Sequence, residues 1–195
     1  MDPIECFRLI SDRMRDELVV TSAGNSSELW WEMTGDTERV FYLEASMSLS
    51  TMFAAGLALS WPESRVWGFI GDGAMVMNTG VLFTERALML DNLTSVVVVN
   101  RCYGATANAE LPDGPAIDFA GIIAAAGFAN VHRFDSIAAL DAGFEAAFRG
   151  PGPSYVVLEI DRLTQHLDSP PFDGPELKYR FGRALERRFE RAILP

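Results

Sequence analysis

The stretch Arg65-Val66-Trp67-Gly68-Phe69-Ile70-Gly71-Asp72-Gly73 decides how the rest of the chain is read. After Arg65, residues 66–70 are an apolar run of strand length, and a carboxylate follows between two glycines. Downstream, Thr94-Ser95-Val96-Val97-Val98-Val99-Asn100 repeats the arrangement with an amide in place of the carboxylate. The valine run does not alternate with polar residues, which suits a strand buried on both faces of a parallel sheet. Between the two runs lies an apolar-periodic segment of helix length, Thr79–Leu90. Strand, helix and strand joined by short links make the repeating unit of a parallel sheet.

The same alternation extends in both directions. Leu18–Thr21, Arg39–Leu43, Asn130–Phe134 and Ser154–Ile160 read as further strands. Pro3–Arg15, Ser50–Ser60, Ile117–Ala126 and Ile137–Phe148 read as helices, the last with Asp135 and Ser136 as cap candidates. The segment 175–194 opens with Pro175 and Glu176 and carries Leu177, Phe181, Leu185 and Phe189 at fourfold spacing, the pattern of a terminal amphipathic helix. The expectation is an α/β fold: one three-layer domain over residues 1–195 with a mostly parallel six-stranded sheet. Two loops, 101–115 and the proline-rich 161–175, are long enough to suggest function. In open α/β sheets ligands sit outside the carboxyl ends of the strands. Segments following Thr21, Leu43, Ile70 and Val99 therefore share one edge of a potential site.

The chain has 195 residues, enough for one full core, with 49% hydrophobic and 22% charged residues. Its net charge of −11 argues against a nucleic-acid partner, although a bound cation can reverse the field locally. Two cysteines, Cys6 and Cys102, are too few for a disulfide framework or a structural zinc site. The start, MDPIECFRLISDRM, lacks the apolar core of a signal peptide, and no apolar run spans a membrane. These absences lead to the expectation of a cytoplasmic protein with no membrane association.

Asp72 and Asn100 carry the chemistry. Each ends a strand, and a helix plus one strand lies between them, so the two strands can be neighbours. A carboxylate and an amide oxygen then converge, and hard oxygen ligands of this kind suit Mg²⁺ completed by phosphate oxygens and water. The alternative for Gly71-Asp72-Gly73 alone is an ordinary strand-end turn.

The stretch GDGAMVMNTGVLFTERALMLDNLTSVVVVNRCYGAT, residues 71–106, resembles the metal–diphosphate motif of enzymes that depend on thiamine diphosphate. The likeness is greatest to the sulfopyruvate and phosphonopyruvate decarboxylases, with their GDGSLLMN-G, NLT and DNxxYGSTGG segments. FYLEASMSLS (41–50) is similar to their FYMVGSMGHA, TSAGNSSELW (21–30) to TTGKTSRELF, and AIDFAGIIAAAGF (116–128) to VDFAxIAxAxGY.

The resemblance implies a thiamine diphosphate fold and assigns roles. Asp72, the side chain of Asn100 and the carbonyl of Cys102 would hold Mg²⁺. Gly71, Gly73, Ala74, Tyr103 and Gly104 would border the diphosphate, with Gly24, Asn25 and Ser26 at its far end. Ser46 would lie against the cofactor. Met47 would be the apolar wedge that bends the cofactor, and the carbonyl of Ala45 would accept from its aminopyrimidine. The residues matched belong to the diphosphate-binding half only. The resemblance thus implies a pyrimidine-binding α-type partner subunit that supplies the activating glutamate, a hetero-oligomer, and a small 2-oxo acid as substrate. No catalytic acid or base is assigned within this chain.

Several positions depart from the pattern. The glycines of GSMG are Ala45 and Ser48, the serine after GDG is Ala74, and the lysine of GKTS is Asn25. STGGQ is replaced by residues 105–109, ATANA. Decarboxylation is the leading activity. Carboligation by the same cofactor and a non-catalytic assembly role are the alternatives. A ferredoxin-coupled oxidoreductase lacks its cluster ligands here. His132 reads as a strand histidine and His166 as a loop residue facing either substrate or solvent. For Tyr103 and Thr106, site and packing roles stand side by side. Met75 and Met77 read as core filler, and Trp30, Trp31 and Phe41 as core or subunit interface. The arginines 180, 183, 187, 188 and 191 read as a solvated or partner-facing helix surface.

Overall fold

The computed structural model describes residues 1–194. In chain order the elements are α1 (Pro3–Asp12), β1 (Leu18–Ser22), α2 (Asn25–Thr34), β2 (Val40–Leu43), α3 (Ser50–Ser60) and β3 (Val66–Gly71). Then come α4 (Asp72–Met77), α5 (Val81–Leu88), β4 (Leu93–Val99), β5 (Cys102–Tyr103), β6 (Ala109–Glu110) and α6 (Phe119–Ala125). The chain finishes with β7 (Asn130–Phe134), α7 (Ile137–Arg149), β8 (Ser154–Glu159) and α8 (Gly174–Phe189).

Six strands form one sheet in the order β2-β1-β3-β4-β8-β7, and every pair is parallel. The expected α/β architecture is therefore present, with a sheet that is wholly parallel. Strand alternation sends Trp67 and Phe69 to one face, where they meet Phe7 and Ile10 of α1, Trp30 of α2 and Phe144 and Phe148 of α7. On the other face Val66 packs with Ala54, Ala55 and Ala58 of α3, and Ile70 with Met75 of α4 and Leu82 of α5. Helix α3 approaches β3 closely because Gly68 has no side chain; a Cβ there would lie 2.8 Å from that of Ala54.

Two helices were not foreseen. Helix α2 lies inside the segment read as a ligand loop. Its signals are in the sequence: Gly24 at the N-cap with a φ of 93°, and Gly35 closing the helix in the left-handed region. Helix α4 begins at Asp72 itself, so the glycine-flanked carboxylate opens a helix rather than a free turn. The terminal helix stops at Phe189 rather than reaching Leu194. Glu190 turns left-handed, and the Glu186 carboxylate accepts from the backbone amides of Ile193 and Leu194, folding the tail back. The arginines of α8 are largely engaged: Arg180 pairs with Glu176, Arg183 with Glu186, Arg187 with Glu38 and Arg188 with Asp16. Loop 101–115 contains the small β5–β6 hairpin, turned by Ala107 and Asn108, both with positive φ.

Candidate functional site

From β1 the chain passes through α2 to β2 on one side, whereas β3 continues to β4 on the other. The carboxyl ends of β1 and β3 therefore flank a topological switch point, where a crevice opens in sheets of this kind. One recess lies there. It is lined by Asn25, Ser26, Met47, Gly71, Asp72, Gly73, Ala74, Asn100, Cys102, Tyr103 and Gly104, all expected from sequence. Ser22, Ala23, Val98 and Ala105 join them without having been foreseen. Gly24, Ala45 and Ser46 do not line the recess. Gly24 sits behind it against Ala105, and Ala45 is exposed beside Met47.

Asp72 is the fixed point of the site. It is 1% exposed, and its two carboxylate oxygens are held separately. One accepts from the Gly73 amide at 2.8 Å and the other from the Arg101 amide at 2.7 Å. Each oxygen retains a lone pair for a further contact. Arg101 reaches Asp72 through its backbone because its φ is 62°, a left-handed conformation that costs a non-glycine residue about 1 kcal/mol. Its side chain secures that conformation. The guanidinium donates to the carbonyls of Gly114 and Ile117 and forms a two-point ion pair with Glu159 at 2.8 Å. Burial raises the Asp72 pKa above the ordinary carboxylate value; the Arg101 and Gly73 amides and the Arg101 charge oppose the rise. Asn100 is buried on the adjoining strand end, and its amide oxygen accepts from the Cys102 amide at 3.1 Å.

The walls are shaped by missing side chains. A Cβ on Gly73 would fall 2.5 Å from the Tyr103 ring, and one on Gly104 would overlap the Asn25 amide. Ser22 presents a buried hydroxyl that has no partner in the protein. Among the described residues no three His, Cys, Asp or Glu side chains stand close enough to hold a metal. A cation here would rest on one carboxylate, one amide oxygen and main-chain carbonyls, with phosphate and water completing its shell. That donor set fits Mg²⁺, and the bare glycine backbone with the start of α2, which borders the recess at Asn25 and Ser26, fits a diphosphate.

The departures from the family pattern acquire a geometry. Ser48 stands where GSMG has its second glycine, yet it keeps a φ of 75°, a conformation natural to glycine. His132 is on the edge strand β7, its ring stacked on Phe134, and is no part of the recess. His166 lies in loop 161–173, close enough to Glu28 of α2 to lower that carboxyl's pKa against the larger raising effect of burial. Burial raises the Cys102 thiol, with a smaller opposing effect from Arg162, so it is not an activated thiolate. Met75 is core, whereas Met77 is 59% exposed on α4. Trp30 is core, while Trp31 and Phe41 are partly buried against it.

Comparison with known proteins points to one family. Residues 24–158 match the family "Thiamine pyrophosphate enzyme, C-terminal TPP binding domain". The chain is 33% identical over 181 residues to sulfopyruvate decarboxylase subunit beta of Methanothermobacter thermautotrophicus, covering 93% of this chain and 94% of that protein. It is 30% identical over 153 residues to phosphonopyruvate decarboxylase of Streptomyces viridochromogenes, covering 78% of this chain but 38% of that protein. A solved structure from Mycobacterium smegmatis, assigned to the thiamin diphosphate-dependent enzymes, superposes with a TM-score of 0.66 at 22% identity, over 85% of this chain and 32% of that one. That likeness bears on the fold alone. The chain belongs to the thiamine pyrophosphate enzyme family, as a copy of its C-terminal TPP-binding domain.

Proposed function

We propose that this chain is the diphosphate- and Mg²⁺-binding subunit of a heteromeric, thiamine diphosphate-dependent decarboxylase of a small 2-oxo acid. The observation that carries the proposal is the buried Asp72 carboxylate, held by two backbone amides at the switch point with Asn100 beside it. In this reading Asp72, Asn100 and the Cys102 carbonyl hold Mg²⁺. The backbone at Gly73 and Ala74 and the start of α2 at Asn25 and Ser26 receive the diphosphate. Met47 would be the apolar wedge against the cofactor, and the Ala45 carbonyl, outside the recess of this chain alone, would accept from its amino group. The bound cofactor supplies the chemistry that separates a 2-oxo carbon from its carboxyl group.

Two features support a partner. The matched residues form only the diphosphate half of a site, and the relatives over full length are themselves subunits by name. Helix α3 carries no charged residue, and Leu49, Phe53 and Leu59 along it are exposed. Val76 and Met77 of α4 and Phe83 of α5 are apolar and exposed as well, Phe83 being 69% exposed. A helix that is apolar on every side is normally buried on every side. We assign the covering surface to a pyrimidine-binding α-type subunit, which brings the activating glutamate. The cytoplasm is the proposed compartment; Cys6 and Cys102 are both free thiols, as a reducing compartment keeps them.

The test is purification of the chain with its native partners, followed by calorimetry of thiamine diphosphate binding with Mg²⁺. Asp72→Ala is expected to weaken binding about 100-fold or more, since loss of outer-sphere contacts alone costs ~10–100-fold at metal sites. Unchanged binding and unchanged decarboxylation of the complex would instead make the chain an assembly subunit.

A further inference from the structure

Ser22 closes β1 and lines the recess. It is 1% exposed, and its hydroxyl oxygen meets no partner in the protein. The hydroxyls beside it are engaged. Thr21 and Ser27 share a hydrogen bond of 2.7 Å, and Ser27 donates to the Ser22 carbonyl at 2.9 Å. Strand alternation turns the Ser22 side chain to the face opposite Thr21, away from that network. Several buried polar side-chain atoms lack a partner among the described residues, and the Ser22 oxygen is the one that belongs to a residue of the recess. Such an atom in a folded protein calls for an explanation, and alanine or valine would end the strand without it.

The surroundings indicate the missing partner. Asp72, the one charged side chain lining the recess, takes its hydrogen bonds from the Gly73 and Arg101 amides and leaves Ser22 without an acceptor. Beyond the turn at Ala23 and Gly24, α2 opens at Asn25 and Ser26, which also line the recess. The first amides of a helix have no carbonyl within the helix to reach, and the positive end of the α2 dipole lies at the same place. Donors and positive potential therefore meet beside the Ser22 hydroxyl, which can complete its bonding by donating to a negative oxygen. Resting on the function proposed above, we infer that Ser22 is a further ligand-binding residue of the half-site, and that its hydroxyl donates to an anionic oxygen of the bound molecule. That oxygen belongs either to the diphosphate of the cofactor or to the carboxylate of the 2-oxo acid, and not to an uncharged or cationic group.

The experiment uses the complex purified with this chain. Calorimetry measures binding of inorganic pyrophosphate with Mg²⁺ and of thiamine diphosphate with Mg²⁺. KM and kcat are measured with whichever of pyruvate, sulfopyruvate and phosphonopyruvate the wild type decarboxylates. Ser22→Ala removes the donor. If the acceptor is a diphosphate oxygen, both probes should bind about tenfold or more weakly, the worth of a hydrogen bond to a charged group. If the acceptor is the substrate carboxylate, both probes should bind as in wild type while KM rises by a similar factor at constant kcat. Either result upholds the inference. In both cases Tm should hold or rise, because an unpaired buried hydroxyl is lost, and Ser22→Thr, which keeps the hydroxyl, should recover most of the loss. Three results overturn it. Both affinities, KM and kcat could all be unchanged in Ser22→Ala. Losses could come with a fall in Tm and no recovery in Ser22→Thr, which would make Ser22 structural. Wild-type complex could bind neither probe or decarboxylate none of the three acids, in which case the functional reading itself fails. If Asp72→Ala abolishes binding of both probes while Ser22→Ala changes nothing, only the inference about Ser22 falls.

Discussion

Single residues in this protein are often held in costly states, and the compensation can be traced. Arg101 keeps a left-handed backbone because its side chain makes contacts with two carbonyls and one carboxylate. Glu85 is a second case, away from the site. It is 1% exposed on α5; one carboxyl oxygen accepts from Ser95 and Tyr155, each at 2.7 Å, and the Thr51 hydroxyl is also near the carboxyl. Burial raises its pKa, outweighing the hydrogen bonds. The folded chain therefore holds a proton on Glu85 that the unfolded chain releases above the ordinary carboxylate pKa of about 4.3. Stability from this group is full below that value and is lost as pH rises through the raised folded pKa. Glu85→Gln should flatten this alkaline decline in Tm, measured from pH 5 to pH 9. A steeper decline in the variant would contradict the assignment.

At the scale of elements, what could be read from the sequence depended on how far each signal extends along the chain. Most strands announced themselves through consecutive apolar residues, and six of the eight helices through apolar spacing or composition. Asp72 and Asn100 were legible because each ends a strand, and strand ends share one edge of a parallel sheet. Helix α2 was missed because its glycine and asparagine boundary residues also suit a phosphate loop. Ser22 was missed because an unpartnered hydroxyl at the recess is a property of three-dimensional packing and leaves no periodic trace. The exposed surface of α3, α4 and α5 makes its own prediction. Phe83→Glu, at a residue 69% exposed, should leave the Tm of the isolated chain within about 0.5 kcal/mol equivalent of wild type. It should also release the partner subunit in size-exclusion chromatography. Retention of the complex would place the partner elsewhere.

For the whole molecule, one arrangement governs both binding and stability. All six sheet strands point the same way, so their carboxyl ends gather Ser22, Gly71 and Asn100 at one rim. The core beneath is filled by Trp30, Trp67, Phe69, Phe144 and Phe148, which make the rim a rigid edge. Identity with the full-length relatives is modest, yet it spreads over 93% of the chain, as expected when architecture and rim evolve together. Positions that differ, such as Ser48 with its glycine-like backbone, show that the conformation is imposed by the surroundings rather than by the local residue.

The apolar flank around Phe53, Met77 and Phe83 also bears on how much of this protein a cell can keep. A copy without its counterpart displays the kind of surface that quality-control machinery captures. Its lifetime should therefore be set by the supply of the other polypeptide. Pulse-chase labelling with the counterpart depleted should show faster turnover of wild type, and Phe83→Glu should escape part of that turnover. Production of the two polypeptides would then be balanced by degradation of whichever copies of this one are left over.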